Sequence, residues 1–459
     1  MSSKPFQFLE IPRRLPKALP LELRVSGWNE VHGAFDGTEA AVQAGRCIDC
    51  GNPWCEWKCP LHNRIPNWLA LVREGRLLEA ATLVHETNPL PEICGRVCPQ
   101  DRLCEGACTL EDGFGAVTIG AIEKDVVDAA FQQGWRPDLS AVRATGRRVA
   151  IVGAGPAGLA CADQLARLGV EPHVFDRYEE IGGLLTFGIP PFKLEKHVVA
   201  MRREVLEHMG VRFHLGVEVG SAPTLAELER DFDSVFLGLG AYRYVDAALP
   251  GADRANVVPA LPFLVANARR VLGTPDSPAR PIAGWSQPLV LPDLRERRVV
   301  VLGGGDTAMD CVRTAARLGA AEVSCAYRRG EPDMPGSRRE VKHAREEGVR
   351  FLFHHTPREI TDAGVHCTDD AGRKLLLSAD VVIVAFGFRP DPPNWLLARG
   401  VAVDATNRIV VAGTGRLPFQ TSVSKLFAGG DATRGADLVV TAVADGRDAA
   451  HAIARAVMA

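Results

Sequence analysis

The sequence predicts an α/β protein in which two similar doubly wound domains follow a mostly helical N-terminal region. Three observations predict it. From residue 147 onward the pattern runs strand, glycine turn, helix, strand, as parallel sheets with crossover helices require. The stretch 147–158 (RRVAIVGAGPAG) is echoed at 297–308 (RRVVVLGGGDTA), and 233–243 (DSVFLGLGAYR) is echoed at 380–390 (DVVIVAFGFRP). Before residue 147, apolar residues recur at helical spacing over 65–86 and 119–132, with few strand-like runs. The expected domains are 1–146, helical; 147–272, the first α/β domain; 273–413, the second; and 414–459, returning to the first. The proline-rich stretch 273–293 reads as their connection.

Composition excludes several classes. Charged residues make up 24% and the formal charge is −3, which gives no field for nucleic acid or an anionic membrane. No apolar run approaches the roughly 18 residues of a membrane span. Residues 1–20 mix charges with prolines and carry no signal-peptide core. A cytoplasmic protein is expected. Of the twelve cysteines, eight fall between Cys47 and Cys108, and in a cytosolic chain such clustering points to metal binding over disulfides.

The first glycine loop is Gly153-x-Gly155-Pro156-Ala157-Gly158, between an apolar strand and a helix. The first glycine allows the tight turn, the second lets a pyrophosphate approach the backbone, and the third lets helix and strand pack closely. The helix start offers free N–H groups to phosphate. Asp176, at the end of the next strand, is placed to hold a ribose hydroxyl. Together these predict a Rossmann-like dinucleotide site.

The second loop is Gly303-x-Gly305-Asp306-Thr307-Ala308. Its next strand ends in Arg328-Arg329, where an NAD site would carry an acid. Arginine pairs with a 2′-phosphate, so this domain is expected to take NADPH; the alternative is a solvated basic turn.

The first domain is expected to hold FAD. Ile181-Gly182-Gly183-Leu184 forms a bend able to pass close to a flat ring. Gly430-Asp431 ends a later strand, where Asp431 can bond a ribityl chain. The helix expected near 438–444 would point its positive end at the ring. Two nucleotide domains with this turn resemble the flavoprotein disulfide reductase fold. Those reductases carry a redox-active cysteine pair, and none is visible here. Cys161 and Cys311 read as packing residues on equivalent helices.

Electrons must therefore leave by another route. Cys47-x2-Cys50-x4-Cys55-x3-Cys59-Pro60 and Cys94-x3-Cys98-Pro99 with Cys104-x3-Cys108 suit two four-cysteine sites. A Cys-Pro at the end of such a run can ligate the other of two clusters, a role open to Cys59. Zinc fits half of the spacing, and unligated thiols are a further alternative. A flavin alongside favours two 4Fe-4S clusters, because zinc accepts no electrons.

These motifs, with Gly188-Ile189-Pro190, Phe192-Lys193-Leu194, Tyr327-Arg328-Arg329 and Met334-Pro335-Gly336-Ser337, resemble the small (beta) subunit family of bacterial NADPH-dependent glutamate synthase. The wider group includes the N-terminal half of dihydropyrimidine dehydrogenase. The resemblance implies an electron-input subunit in a hetero-oligomer. NADPH is oxidised at FAD, and electrons pass through the clusters to an FMN-containing large (alpha) subunit that makes glutamate from glutamine and 2-oxoglutarate. It implies no glutaminase here, since that class uses an N-terminal cysteine and this chain begins Met1-Ser2. It also suggests that Glu123 replaces Cys94 as a cluster ligand. The alternatives are the flavin and iron–sulfur subunit of a ferredoxin–NADP transhydrogenase and, outside enzymes, a zinc-stabilised nucleotide-binding scaffold.

Overall fold

The structure is a computed structural model, and it describes residues 6–245, 248–274 and 290–458. Two five-stranded parallel sheets form its frame. The first takes strands β1 (Arg148–Val152), β2 (Glu171–Asp176), β3 (Arg212–Leu215), β4 (Ser234–Leu237) and, from the far end of the chain, β15 (Leu426–Ala428), in the order β15-β4-β1-β2-β3. The second takes β6 (Val257–Pro259), β7 (Arg298–Leu302), β8 (Glu322–Ala326), β9 (Arg350–Leu352) and β13 (Val381–Val384), in the order β6-β13-β7-β8-β9.

The sequence repeat is thus a repeat of topology. Both central strands start exposed and then bury four residues in a row, the apolar run that a strand covered on both faces requires. The second echo has a matching task. Asp233 accepts a hydrogen bond from the Arg148 backbone N–H, and Asp380 accepts one from Arg298, each at 2.8 Å. Each aspartate ties the start of its central strand to the neighbouring one.

The sheets move both expected boundaries of the second domain. β6 belongs to the second sheet, and the helix Ala260–Val271 packs on β6 and on the helix Asp306–Arg317, although both precede residue 273. Leu396, Val401 and Ile409, expected in the second domain, pack in the core of the first with Val152, Phe175 and Leu237. A two-stranded antiparallel ribbon, β5 (Arg243–Tyr244) with β14 (Phe388–Arg389), marks the two crossings. The second domain is therefore an insertion in the first, spanning about 245–388. An unexpected antiparallel sheet, β10 (Thr356–Thr361), β11 (Gly364–Thr368) and β12 (Lys374–Ser378), also belongs to it. The expected connection over 273–293 falls mostly outside the described residues.

The C-terminal stretch adds to the first sheet. β15 pairs with β4, and the helix Val439–Met458 packs along Pro156–Arg167. Gly446 makes this approach close: a Cβ there would lie 1.9 Å from the Ala157 carbonyl oxygen.

The N-terminal region is helical. Its expected 65–86 pattern is two helices, Ile65–Arg73 and Leu77–Thr87. Gly75, at φ 77°, adopts the left-handed conformation that ends the first. Ile119–Gln132 buries Ile122, Val126, Val127 and Ala130 against Pro91–Val97 and Leu77–Thr87. The region docks through buried charges. Arg202, fully buried, donates to both Glu92 oxygens at 2.8 and 2.5 Å. Arg447 donates to the Leu61 and Thr87 carbonyls, both at 2.8 Å.

Candidate functional site

A cavity of about 1060 Å³ lies where the three regions meet. It is as large as the biggest ordinary small-molecule sites, roughly 1,000 Å³. Ten of the sequence-predicted residues line it: Gly153, Gly155, Pro156, Ala157, Asp176, Gly183, Leu184, Asp306, Thr307 and Asp431. The first loop and the start of the helix after the second loop thus face one space. Val97 and Pro99, on either side of Cys98, form part of its wall.

The glycines divide into two kinds. A Cβ on Gly155 would meet nothing within 4 Å, so that position is open toward the cavity. One on Gly158 would lie 1.9 Å from the Gly153 oxygen, and one on Gly303 would lie 2.4 Å from the Ala385 oxygen. Gly158 lets its helix pack close on the loop and Gly303 lets its loop pack close on the end of β13, and neither lines the cavity. Gly430 is also outside the lining. Its φ is 69°, and it packs beside Ala157.

Asp176 is buried, and burial raises its carboxyl. It accepts from the N–H of Ala154 at 2.6 Å and of Tyr178 at 2.8 Å. It therefore braces the first loop as well as facing the cavity. Burial pushes Asp431 up to about 7. A carboxyl in that range donates as well as accepts, which suits a hydroxyl-bearing chain. A shaped recess, an open glycine over a helix N-terminus and this carboxyl fit FAD.

At the second loop, Asp306 accepts from the Ser337 N–H at 2.9 Å, and Gly336 donates to the Gly304 oxygen at 2.9 Å. The segment 334–337 therefore lies on the loop. Arg102, from the helical region, holds it by donating to the Pro335 and Gly336 carbonyls at 2.7 and 2.5 Å. Gly305, Ala308, Arg328 and Arg329 do not line the cavity. The two arginines stand exposed beyond the end of β8, one strand away from the loop. A loop at one end and exposed guanidinium groups at the other fit NADPH.

The eight clustered cysteines are all free thiols. Their charges influence one another in two neighbourhoods. Cys47 and Cys55 feel each other or Cys50, and both feel Cys108. Cys59 feels Cys94 and Glu123, Cys98 feels Cys94, Cys104 and Glu123, and Cys104 feels Cys59 and Glu123 and, where the two neighbourhoods meet, Cys55. Among the described residues no three such groups converge as ligands of a single ion would. Two neighbourhoods of thiols fit polynuclear clusters. Burial pushes the Cys55 thiol up to about 12 and Cys59 to about 11; such thiols stay protonated unless a cation holds them as thiolates. Glu123, pushed by burial to about 8, accepts from the Asn63 and Asn88 amides at 3.0 Å each.

Cys161 and Cys311 are fully buried, and burial pushes both thiols far up. Neither lines the cavity, so both act as packing residues. The sequence reading missed Arg177, Tyr178, Tyr242, Lys193 and Asp310, all in the lining. Arg177 and Tyr178 carried a local signal by following Asp176, and Lys193 stood in the Phe192-Lys193-Leu194 motif without a role assigned to it.

Two family models match the chain: dihydropyrimidine dehydrogenase domain II, 4Fe-4S cluster, over 24–135, and pyridine nucleotide-disulphide oxidoreductase over 147–446. The glutamate synthase [NADPH] small chain of Halomonas elongata is 52% identical, covering 98% of this chain and 97% of its own. That of Escherichia coli K12 is 52% identical, covering 99% of both. A solved structure of Mycobacterium tuberculosis FprA in complex with NADPH aligns at a TM-score of 0.53 and 18% identity. It covers 68% of this chain and 84% of that one, and shows the shared fold. Helical cysteine region and paired sheets alike are accounted for end to end, and the chain belongs to the glutamate synthase [NADPH] small-chain family.

Proposed function

We propose that this chain is the electron-input subunit of a glutamate synthase, oxidising NADPH at FAD and passing electrons through two 4Fe-4S clusters to a large subunit. The carrying observation is the shared cavity, with the first loop, the second loop's helix start and, from either side of Cys98, Val97 and Pro99 on its walls. FAD, when bound, takes a hydride as an electron pair and gives electrons up singly, and iron–sulfur clusters accept them one at a time.

The chain's residues supply position and field. Gly155 and the start of Pro156–Arg167 would hold the pyrophosphate of FAD, Gly183 and Leu184 would pass its ring, and Asp431 would bond its ribityl chain. Thr307 and the second loop would hold the NADPH pyrophosphate. Cys47, Cys50, Cys55 and Cys108 would hold one cluster. Cys59, Cys98, Cys104 and Glu123 would hold the other. Glu123 is taken over Cys94 on the family resemblance; it is buried beside these thiols and accepts from the Asn63 and Asn88 amides. Of the eight cysteines only Cys50 is exposed. A cluster held by Cys98 would stand next to the cavity wall, and one held by Cys50 would stand toward the surface. No helix among the described residues is long and apolar enough to cross a membrane.

The testing experiment mixes purified components. The chain alone should reduce artificial dyes with NADPH, hydrolyse no glutamine and make no glutamate. Adding a glutamate synthase large subunit should give NADPH-driven glutamate formation. Glutaminase activity in the pure chain would sink the assignment; reduction of ferredoxin without reconstitution would favour the transhydrogenase reading.

Coenzyme choice gives a second expected result. Replacing Arg328 and Arg329 by uncharged residues removes a charge-assisted contact to the 2′-phosphate. NADPH should bind more weakly by about 2 kcal/mol, roughly thirtyfold, with NADH nearly unchanged. Steady-state kinetics with both coenzymes measures it, and equal losses would show that these arginines do not read the phosphate.

A further inference from the structure

The segment 188–195 reaches from the first domain to the second. Phe192, 1% exposed, lies under two guanidinium groups of the helix Asp306–Arg317, Arg313 at 4.4 Å and Arg317 at 4.0 Å from its centre. The neighbouring Lys193 crosses the same boundary. Its ammonium donates to Asp310 Oδ1 at 2.8 Å and lies 3.8 Å from Glu340. Glu340 is already taken by Arg313 at 2.6 Å, and Arg313 also donates to both oxygens of Glu347. Asp310 is therefore the partner left to Lys193.

Lys193 and Asp310 both line the cavity. Asp310 stands one turn along the helix from Asp306 and Thr307, and Lys193 follows Gly188 and Ile189, which line the other side. The pair is the rigid strut between the two nucleotide walls. Such a pair is a poor source of stability, because the desolvation of two charges offsets their attraction. What it supplies is a fixed separation and direction, which an apolar contact of the same size does not.

We propose that Lys193 and Asp310 are a positioning pair for hydride transfer, fixing the second nucleotide loop over the flavin cavity. This rests on the functional reading above. A misplacement of about 1 Å is enough to slow a positioned reaction by as much as a hundredfold, so the pair controls the rate of transfer and leaves each site able to bind its own nucleotide.

The test uses the FAD-loaded full chain and two variants, Lys193→Met and the neutral double variant Lys193→Met/Asp310→Asn. The single variant strands a buried carboxylate and is expected to lose stability; the double removes both charges and keeps the shape. The double variant should melt near the wild type and bind NADP+ as tightly by calorimetry. Its flavin should be reduced by NADPH about tenfold to hundredfold more slowly in stopped flow. Hydrogen exchange over 188–195 should quicken. Wild-type reduction rates and exchange in the double variant would overturn the proposal. So would a double variant melting far below the wild type, which would make the pair purely structural. If wild-type flavin were not reduced by NADPH at all, the functional reading would fall and this inference with it.

Discussion

Cys50→Ser is expected to cut iron content to about half, by loss of one of two clusters. Electron transfer to the large subunit should fall on the order of hundredfold or more, since even outer-shell partners of metal sites are worth tenfold to hundredfold. Dye reduction by NADPH should persist, because the flavin cavity lies at the opposite, Cys98 end of the relay. The same assay separates the two candidate fourth ligands of the inner cluster. Glu123→Ala should also lose about half of the iron, whereas Cys94→Ser should keep it. Iron retained in Glu123→Ala and lost in Cys94→Ser would reverse that assignment. Full iron and full transfer in Cys50→Ser would remove Cys50 from the ligand set.

The second large effect separates two glycines three positions apart. Gly155→Ala should fold normally, since its Cβ meets nothing within 4 Å. The intruding methyl stands where the pyrophosphate must come closest. FAD affinity should therefore fall by about 1–3 kcal/mol, the usual cost of overpacking, or roughly fivefold to a hundredfold. Gly158→Ala should instead destabilise the first domain. Its Cβ would sit 1.9 Å from a backbone oxygen, and the Ile151 side chain closes the other side at 3.2 Å. Neither neighbour can yield without shifting β1 against its helix, so loss of FAD follows from loss of packing. Thermal unfolding of the FAD-free proteins distinguishes the cases. A normal melting temperature for Gly158→Ala, or a depressed one for Gly155→Ala, would contradict the division.

Sequence alone determined the two nucleotide loops, the topology repeat and the eight-cysteine pattern. Each is written within a short stretch: a glycine loop needs a dozen residues, and a central strand shows its burial in its own apolar run. The family likeness rests on the same local motifs. The tertiary structure decided what depends on residues far apart. The edge strand β6 is three residues long and carries no signal of which sheet it joins; pairing with β13 settles it, and with it the domain boundary. The approach of Cys59 to Cys94 and Glu123, and of Cys108 to Cys47 and Cys55, comes from how the helices fold back. Gly446 looks like any helical glycine until Ala157 is packed against it. Lys193 and Asp310, far apart in the chain, meet only because the second domain folds down over the first. Local pattern sets which element a residue enters, through backbone and solvent preferences that act within a few residues. Which side chains then face one cavity depends on long-range packing, and that leaves no periodic trace in the chain.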